Sequence, residues 1–168
     1  MAENIRAKDL MRLSFLRLGA GHTLREALSI LLDPQTREDG CRVLIVLNPD
    51  AGFAGILTTR YLLRALVPDW VREETDFEDN LAFEKRLLDS MEEKLEMKVA
   101  EAMNRDVPTA TPGDRLPRLI ECMQDKRLDC LPVVEQGRVV GVIHLTDVFN
   151  AAARLALAAQ TDDAPPGR

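Results

Sequence analysis

The side chains best suited to metal binding or covalent catalysis are scarce, because the 168 residues include only two histidines and three cysteines. His22 and His144 form no sequence-local metal-binding motif with the cysteines. Cys41, Cys122 and Cys130 include no C-x-x-C pair, and this usage is typical of reduced, buried thiols in a reducing compartment. The chain also lacks a P-loop and a serine nucleophile elbow. We therefore predict no catalytic residue, no metal and no enzymatic activity.

The overall composition argues against two further classes of protein. The net charge is −6 and the pI is about 5.0, whereas nucleic-acid-binding surfaces are basic. No apolar run approaches the roughly 18 residues that cross a bilayer, and residues 1–11 lack the apolar stretch of a signal peptide. We expect a cytoplasmic protein with no nucleic-acid partner and no membrane partner.

The acidity belongs to one segment. Residues 69–98 hold eleven acidic and five basic side chains, so this segment alone accounts for the net charge of −6. It is interpreted either as a solvated helix face or as a docking surface for a basic partner. Thr75 and Glu78 predict a capping box at the start of a helix. A broken apolar stripe predicts packing on the protein's own body, on a second subunit or on an unidentified protein partner; it consists of Phe77, Leu81, Leu88, Met91 and Leu95.

The parts of the chain on either side of this insert resemble each other. The segment 9–11 lies 92 positions before 101–103, and two amphipathic helix patterns follow at the same offset. Their apolar positions are Leu24, Ala27, Leu28 and Leu31 in the first half and Leu116, Leu119, Ile120 and Met123 in the second. Thr23 and Glu26 predict a capping box for the first helix, and Asp114 is predicted to cap the second.

Each predicted helix is followed by a hairpin and a further helix. The predicted hairpins pair 43–47 with 53–57 and 131–134 with 139–143, and the helices that follow cover 58–66 and 146–159. The segments 15–18 and 107–110 are candidate opening strands. We predict an α+β or α/β protein made of two β-α-β-β-α repeats, since a single unit of about 60 residues is only marginally stable. The predicted boundaries are 1–66, 67–98 for the helical insert, 99–159, and 160–168 for a disordered tail.

The ordered motifs of the second half resemble a cystathionine-β-synthase (CBS) domain. They are Met103, Val107-Pro108-Thr109, Leu131-Pro132-Val133-Val134, Gly141-Val142-Ile143 and Asp147. The first half resembles it more weakly, through Met11, 43–46 and 55–58. Together the halves resemble a tandem CBS pair, or Bateman module. The resemblance implies two repeats related by pseudo-twofold symmetry, a homodimer, and a regulatory role such as energy sensing rather than catalysis.

The resemblance also implies a ligand site. In the family pattern, a Thr or Ser three residues after a Gly contacts phosphate, and an Asp three residues further on contacts the ribose hydroxyls. The first half keeps Thr58 after Gly55 but has Tyr61 in place of the Asp, and the second half keeps Asp147 but has His144 in place of the Thr. A helix start suits an anion, and a carboxylate can accept hydrogen bonds from both ribose hydroxyls. The residues implied are Val107, Thr109, Cys130, Leu131, Pro132, His144 and Asp147, with Thr58 from the first half.

Two functional hypotheses follow from this resemblance. The first is a stand-alone regulatory protein that binds AMP, ADP, ATP or S-adenosylmethionine in the cleft between the repeats, with no other cofactor. The second is a structural or dimerisation module that has lost its ligand, which the divided motif favours. Under the second hypothesis Asp147 only caps its helix, His144 is an ordinary half-buried histidine and Tyr61 is a packing residue.

Overall fold

The computed structural model describes residues 4–36, 42–73 and 81–161. Its elements, in chain order, are α1 (Ala7–Leu10), β1 (Arg17–Gly19), α2 (Leu24–Leu32), a 3₁₀ turn (Pro34–Thr36), β2 (Val43–Leu47), β3 (Phe53–Thr58), α3 (Thr59–Leu66), α4 (Trp70–Glu73), α5 (Leu81–Lys94), α6 (Val99–Ala102), α7 (Leu116–Asp125), β4 (Cys130–Glu135), β5 (Arg138–His144) and α8 (Leu145–Thr161). The predicted mixed α and β architecture with a repeated hairpin and helix is therefore confirmed.

The chain forms two compact units. The middle unit is Leu16–Asp106, and the terminal unit combines Met1–Phe15 with Val107–Arg168. The short helix α1 thus packs in the same unit as the second repeat, and α6 packs in the same unit as the first. The repeat boundaries at 1–66 and 99–159 stay a prediction. Helix α8 extends to Thr161, and residues 162–168 of the predicted tail lie outside the described residues.

The middle unit is built on a three-stranded sheet. Strand β1 runs parallel to β2, and β2 pairs antiparallel with β3. The predicted capping box of α2 is confirmed, because the Glu26 N–H donates to Thr23 Oγ1 at 3.3 Å and the Thr23 N–H donates to Glu26 Oε2 at 2.8 Å. One face of the sheet packs on the helices in an aliphatic core, whose buried members include Leu24, Ala27, Leu31, Leu44, Val46, Leu57, Leu62 and Leu66.

The terminal unit has the corresponding hairpin, β4 paired antiparallel with β5. The predicted opening strand 107–110 is reduced to a single parallel bridge between Ala110 and Val133. The prediction that Asp114 caps α7 is wrong: the N-cap position is Arg115, and the Asp114 carboxylate accepts instead from the Thr111 N–H at 2.9 Å. The core of this unit includes Ala7, Leu116, Leu119, Met123, Leu131, Val133, Ile143 and Val148.

The acidic insert folds onto the middle unit. Helix α5 packs against α3, and Met91 and Leu95 pack against the aliphatic core. Trp70 meets Phe83 edge to face at 5.3 Å, with the Arg86 guanidinium 4.2 Å from the Trp70 ring centre. The insert therefore packs on its own unit, as one of the three alternatives predicted. The predicted capping pair Thr75 and Glu78, together with Phe77, lies outside the described residues. A protein partner for Leu81 and Leu88, both exposed, stays a prediction.

In each unit one glycine leaves room for a backbone segment that is distant in the sequence. In the middle unit Asn104 forms a bridge with Ile56, and in the terminal unit Arg12 forms a bridge with Val142. A Cβ atom at Gly55 would collide with the Asn104 carbonyl oxygen, and one at Gly141 would lie 3.0 Å from the Arg12 carbonyl oxygen. The glycines that begin the family pattern are therefore required by close backbone approach.

Candidate functional site

Seven of the eight predicted site residues belong to the terminal unit and gather at one end of its sheet. Because Ala110 pairs with Val133 in parallel, the residues before Ala110, including Thr109, run beside the start of β4. Cys130, the first residue of β4, pairs with His144, the last residue of β5, and α8 begins at the next residue. The first turn of α8, with Asp147, therefore starts at this end of the sheet.

The side chains at this end differ in accessibility. Strand alternation places Leu131 in the helical core, where it is fully buried, while Cys130 and Pro132 are buried on the opposite face of the sheet. Val107 is also buried. Thr109, His144 and Asp147 are only half-buried, so among the predicted residues of this unit these three have polar side chains that can meet a ligand. Leu131 can contribute to a ligand site through its backbone alone.

Asp147 forms a bidentate ion pair with Arg12, a residue that the sequence analysis did not single out. Arg12 Nε donates to Asp147 Oδ2 and Arg12 Nη2 donates to Oδ1, each at 3.0 Å. Both side chains remain partly accessible, at 27% and 21% relative exposure. Two parallel bonds of this kind are stronger and more directional than a single contact. The pair ties the segment after α1 to the first turn of α8.

The pair also fixes the charge of the site. The hydrogen bonds from Arg12 hold the pKa of Asp147 below its usual value of 3.8, against the opposing effect of partial burial. A hydrogen bond from the His144 backbone N–H acts in the same direction as Arg12. Asp147 therefore carries its negative charge at neutral pH and closes half of a capping box on α8.

The repeat shows which residues correspond to Arg12 and Asp147. At the offset of 92, Arg12 corresponds to Asn104, and at the offset of 86, Asp147 corresponds to Tyr61. The terminal unit thus holds both the guanidinium and the carboxylate, although they come from opposite halves of the sequence, and the middle unit holds Asn104 and Tyr61 at the corresponding positions. The bridges of Arg12 with Val142 and of Asn104 with Ile56 confirm that the two positions correspond.

Thr58 lies in the middle unit and has a structural task there. It is the N-cap of α3, and its hydroxyl accepts a hydrogen bond from the Tyr61 N–H at 3.4 Å. Tyr61 is half-buried and packs against the aliphatic core of its unit, as expected of a packing residue. The Thr58 hydroxyl hydrogen is still available as a donor, since capping uses an oxygen lone pair.

An open groove of about 710 Å³ lies beside Asp147 in the terminal unit. Leu10 and Ile5 line one part of it, and Ala151 and Leu155 of α8 line another. Among the described residues, no three His, Cys, Asp or Glu side chains come close enough to hold a metal ion. Within the same part of the chain, no helix combines the length and the hydropathy needed to cross a membrane.

The model of the CBS domain family matches residues 7–68 and 99–154, and the chain therefore belongs to the CBS domain family. Two separate matches make it a tandem CBS pair, and such proteins are generally regulatory. An uncharacterized protein of Methanocaldococcus jannaschii is 31% identical over 113 residues, which are 67% of this chain and 36% of the relative. The chain thus spans about a third of that relative's length.

Two solved structures with the same fold contain ligands. The cytosolic domain of the Mg²⁺ channel MgtE in complex with ATP has a TM-score of 0.64 at 23% identity, and the match covers 89% of this chain and 49% of that one. A CBS domain pair in complex with 5′-methylthioadenosine and S-adenosyl-L-methionine has a TM-score of 0.62 at 19% identity, with 90% and 98% covered. At these identities the likeness shows the fold alone.

Proposed function

We propose that this CBS pair is a regulatory protein that binds an adenosine-containing ligand at the Asp147 end of the terminal-unit sheet. The observation that carries the proposal is the Asp147 carboxylate, ionised, partly exposed and fixed on the first turn of α8. The ATP and S-adenosylmethionine complexes of proteins with this fold support the choice of ligand class. The protein acts in the cytoplasm, as an energy sensor, and is not an enzyme.

Each part of such a ligand has a counterpart at this end of the sheet. Asp147 accepts hydrogen bonds from the ribose hydroxyls, which are donors. A phosphate meets the first backbone N–H groups of α8, together with the His144 and Thr109 side chains, because a helix start attracts anions. The adenine lies against apolar side chains and backbone groups of the 107–110 segment and of β4.

Calorimetry with AMP, ADP, ATP and S-adenosylmethionine tests this assignment. At least one of them is expected to bind the wild-type chain, and Asp147→Asn is expected to weaken that binding about tenfold or more, since a hydrogen bond to a charged group contributes about 1.5–3 kcal/mol. Asp114→Asn is the matched control, because Asp114 is also an arginine-paired carboxylate of the terminal unit. Equal losses in both variants, or no loss in either, would place the ligand elsewhere.

A ligand-free structural module is the second candidate function. The observation that favours it is the ion pair itself, because Arg12 and the helix start already satisfy much of the Asp147 carboxylate. Thr58 is likewise engaged as a helix cap. If none of the four ligands binds at millimolar concentration, this candidate replaces the first.

In either case we propose a homodimer formed through the helices that follow the hairpins. Phe149 on α8 and Leu63 on α3 correspond at the offset of 86, and they are 66% and 61% exposed. On α8 the exposed Leu145 and Leu157 form an apolar stripe together with Phe149. A second copy of the chain presents the same uncharged stripe, and mutual burial would remove both from water.

Phe149→Glu is therefore expected to convert the dimer into a monomer, because a carboxylate would replace a ring at the centre of the contact. Sedimentation equilibrium measures the mass of the particle. Gln124→Glu adds the same charge on an exposed position of α7 and is expected to leave the mass unchanged. A wild-type chain that is monomeric at 100 µM would contradict the proposal.

A further inference from the structure

We infer that the outer face of α5 is a docking surface for a basic amphipathic helix of another protein. The outer face comprises five exposed side chains of this helix, namely Leu81, Glu84, Lys85, Leu88 and Glu92. None of them belongs to the proposed ligand site, so the inference does not depend on which ligand binds. It depends on how α5 packs, how its two exposed leucines are spaced and how the charges around them are paired.

The packing of α5 within the middle unit leaves this face uncovered. Phe83 packs edge to face on Trp70 of α4, and Met91 packs against the aliphatic core. These contacts hold one side of the helix on its own unit. Leu81 and Leu88 lie outside them and are 82% and 64% exposed. The helix is therefore fixed in place, while two of its leucines are left in water.

The spacing of the exposed leucines fits a helical partner. The five residues of the outer face follow the pattern i, i+3, i+4, i+7 and i+11, which keeps them on one side of a helix. Leu81 and Leu88 are one heptad apart, or about 10 Å along the helix axis. In paired helices, apolar side chains at this spacing insert between the side chains of the facing helix. Single exposed leucines are ordinary on protein surfaces, whereas two at this spacing match the seam of a helix pair.

The charges beside this seam are mostly negative. Four exposed carboxylates of α5 form no ion pair in the part of the chain that the structure describes; they are Glu84, Asp89, Glu92 and Glu93. The Arg86 guanidinium is engaged elsewhere, since it lies 4.2 Å from the Trp70 ring centre. Lys85 is then the single base of the outer face. A partner helix with lysines or arginines beside its apolar seam would pair with these carboxylates, as residues at the e and g positions of coiled coils do.

The same charges disfavour other occupants. A second copy of the chain would bring an identical acidic face against this one, and like charges in contact oppose association. Anionic lipid and nucleic acid would be repelled in the same way. Residues 69–98 carry the whole net charge of −6, so attraction would also speed the encounter with a basic partner. A basic helix is therefore the occupant that fits both the leucines and the carboxylates.

Calorimetry of the full chain with a designed peptide tests the inference. The probe is a helical peptide of about 21 residues with leucine at the a and d positions and lysine at e and g, because shorter helices are marginal in water. The wild-type chain is expected to bind it. The double substitution Leu81→Ser and Leu88→Ser is expected to weaken binding about tenfold or more, since the burial of two leucines is lost. A peptide with glutamate in place of lysine is expected to bind at least about tenfold more weakly.

A matched leucine variant shows whether the effect is specific to α5. Leu13→Ser with Leu32→Ser removes two exposed leucines outside this helix and is expected to leave the affinity for the lysine peptide unchanged. Trp70 is the single tryptophan of the chain, so unchanged tryptophan emission after Leu81→Ser and Leu88→Ser shows that α5 still packs on α4.

A charge variant tests the carboxylates while both leucines stay in place. Glu84→Gln with Glu92→Gln is expected to weaken the lysine peptide about threefold, as two exposed ion pairs would. Glu121→Gln with Glu135→Gln changes two exposed acids of the terminal unit and is expected to have no effect. Equal affinities in the two charge variants would overturn the inference, whether or not the serine variant keeps α5 in place.

The inference is also overturned if the wild type does not bind the lysine peptide, if the glutamate peptide binds as tightly, or if losing Leu81 and Leu88 weakens binding no more than the matched leucine variant does. A lower mass of that α5 serine variant in sedimentation equilibrium would instead assign the face to a second copy of the chain. Binding to phosphatidylglycerol vesicles that the same variant abolishes would assign it to a membrane. The mass is expected to stay unchanged, and the vesicles are expected not to bind.

Discussion

Gly55→Ala is expected to destabilise the protein by about 2–3 kcal/mol, at the upper end of the cost of overpacking. The added Cβ would collide with the Asn104 carbonyl oxygen and would lie 3.3 Å from Met103 Sδ. That carbonyl accepts the Ile56 N–H at 3.0 Å, and the Asn104 N–H donates to the Ile56 carbonyl at 2.8 Å. The segment therefore cannot move aside without losing both hydrogen bonds.

Gly141→Ala is expected to cost less than Gly55→Ala, although the two glycines correspond in the repeats. Its Cβ would lie 2.9 Å from Met11 Sδ and 3.0 Å from the Arg12 carbonyl oxygen. A thioether at the end of a flexible side chain moves more readily than a backbone carbonyl. Gly21→Ala is the control, since its Cβ would meet nothing within 4 Å.

Urea denaturation of the three variants measures the order of their unfolding free energies. The expected order of stability is Gly21→Ala, then Gly141→Ala, then Gly55→Ala. A Gly55→Ala protein as stable as the Gly21→Ala protein would show that the Asn104 segment is not held against β3 as the structure places it.

The elements of the fold could be predicted because their signals are local. The spacing of Leu24, Ala27 and Leu31 defines a helix face, and turn residues separate two apolar runs in each hairpin. The offsets of 92 and 86 between matching positions of the two halves predict the repeat. The residue type of Asp114 predicts an N-cap for α7 one residue too early, whereas in the structure its carboxylate accepts from the Thr111 N–H of the preceding turn.

The candidate site was predicted less completely because its decisive contact is not local. Arg12 and Asp147 lie 135 positions apart, and no periodicity connects them. The family pattern indicates which residues surround a ligand, but it does not show that a carboxylate is already paired. In the sequence Arg12 stands in the half that has Tyr61, and Asp147 stands in the half that has Asn104. The two charges are therefore recognised as a pair only once the bridge between Arg12 and Val142 is known.

Leu131→Ala is expected to destabilise the protein by about 2–5 kcal/mol, the range found when a buried leucine is truncated. The family pattern implies that Leu131 belongs to the ligand site, yet its side chain is fully buried among the core residues of the terminal unit. Truncation leaves a cavity between the sheet and the helices, because a packed core relaxes only partly. The effect is therefore expected on folding and not on the polar contacts of a ligand.

Leu13→Ala separates these two effects. Leu13 belongs to the same unit, but its side chain is 73% exposed, so its removal is expected to cost under about 1 kcal/mol. Thermal and urea unfolding of both variants measure the stability difference, and calorimetry at a temperature where both are folded measures nucleotide affinity. Unfolding free energies that match in the two variants would mean that Leu131 is not a core residue. If nucleotide affinity falls tenfold in folded Leu131→Ala but not in the control, the Leu131 side chain contributes to ligand binding. A residue with only a packing role would change stability and would leave Arg12, Asp147 and the start of α8 in place.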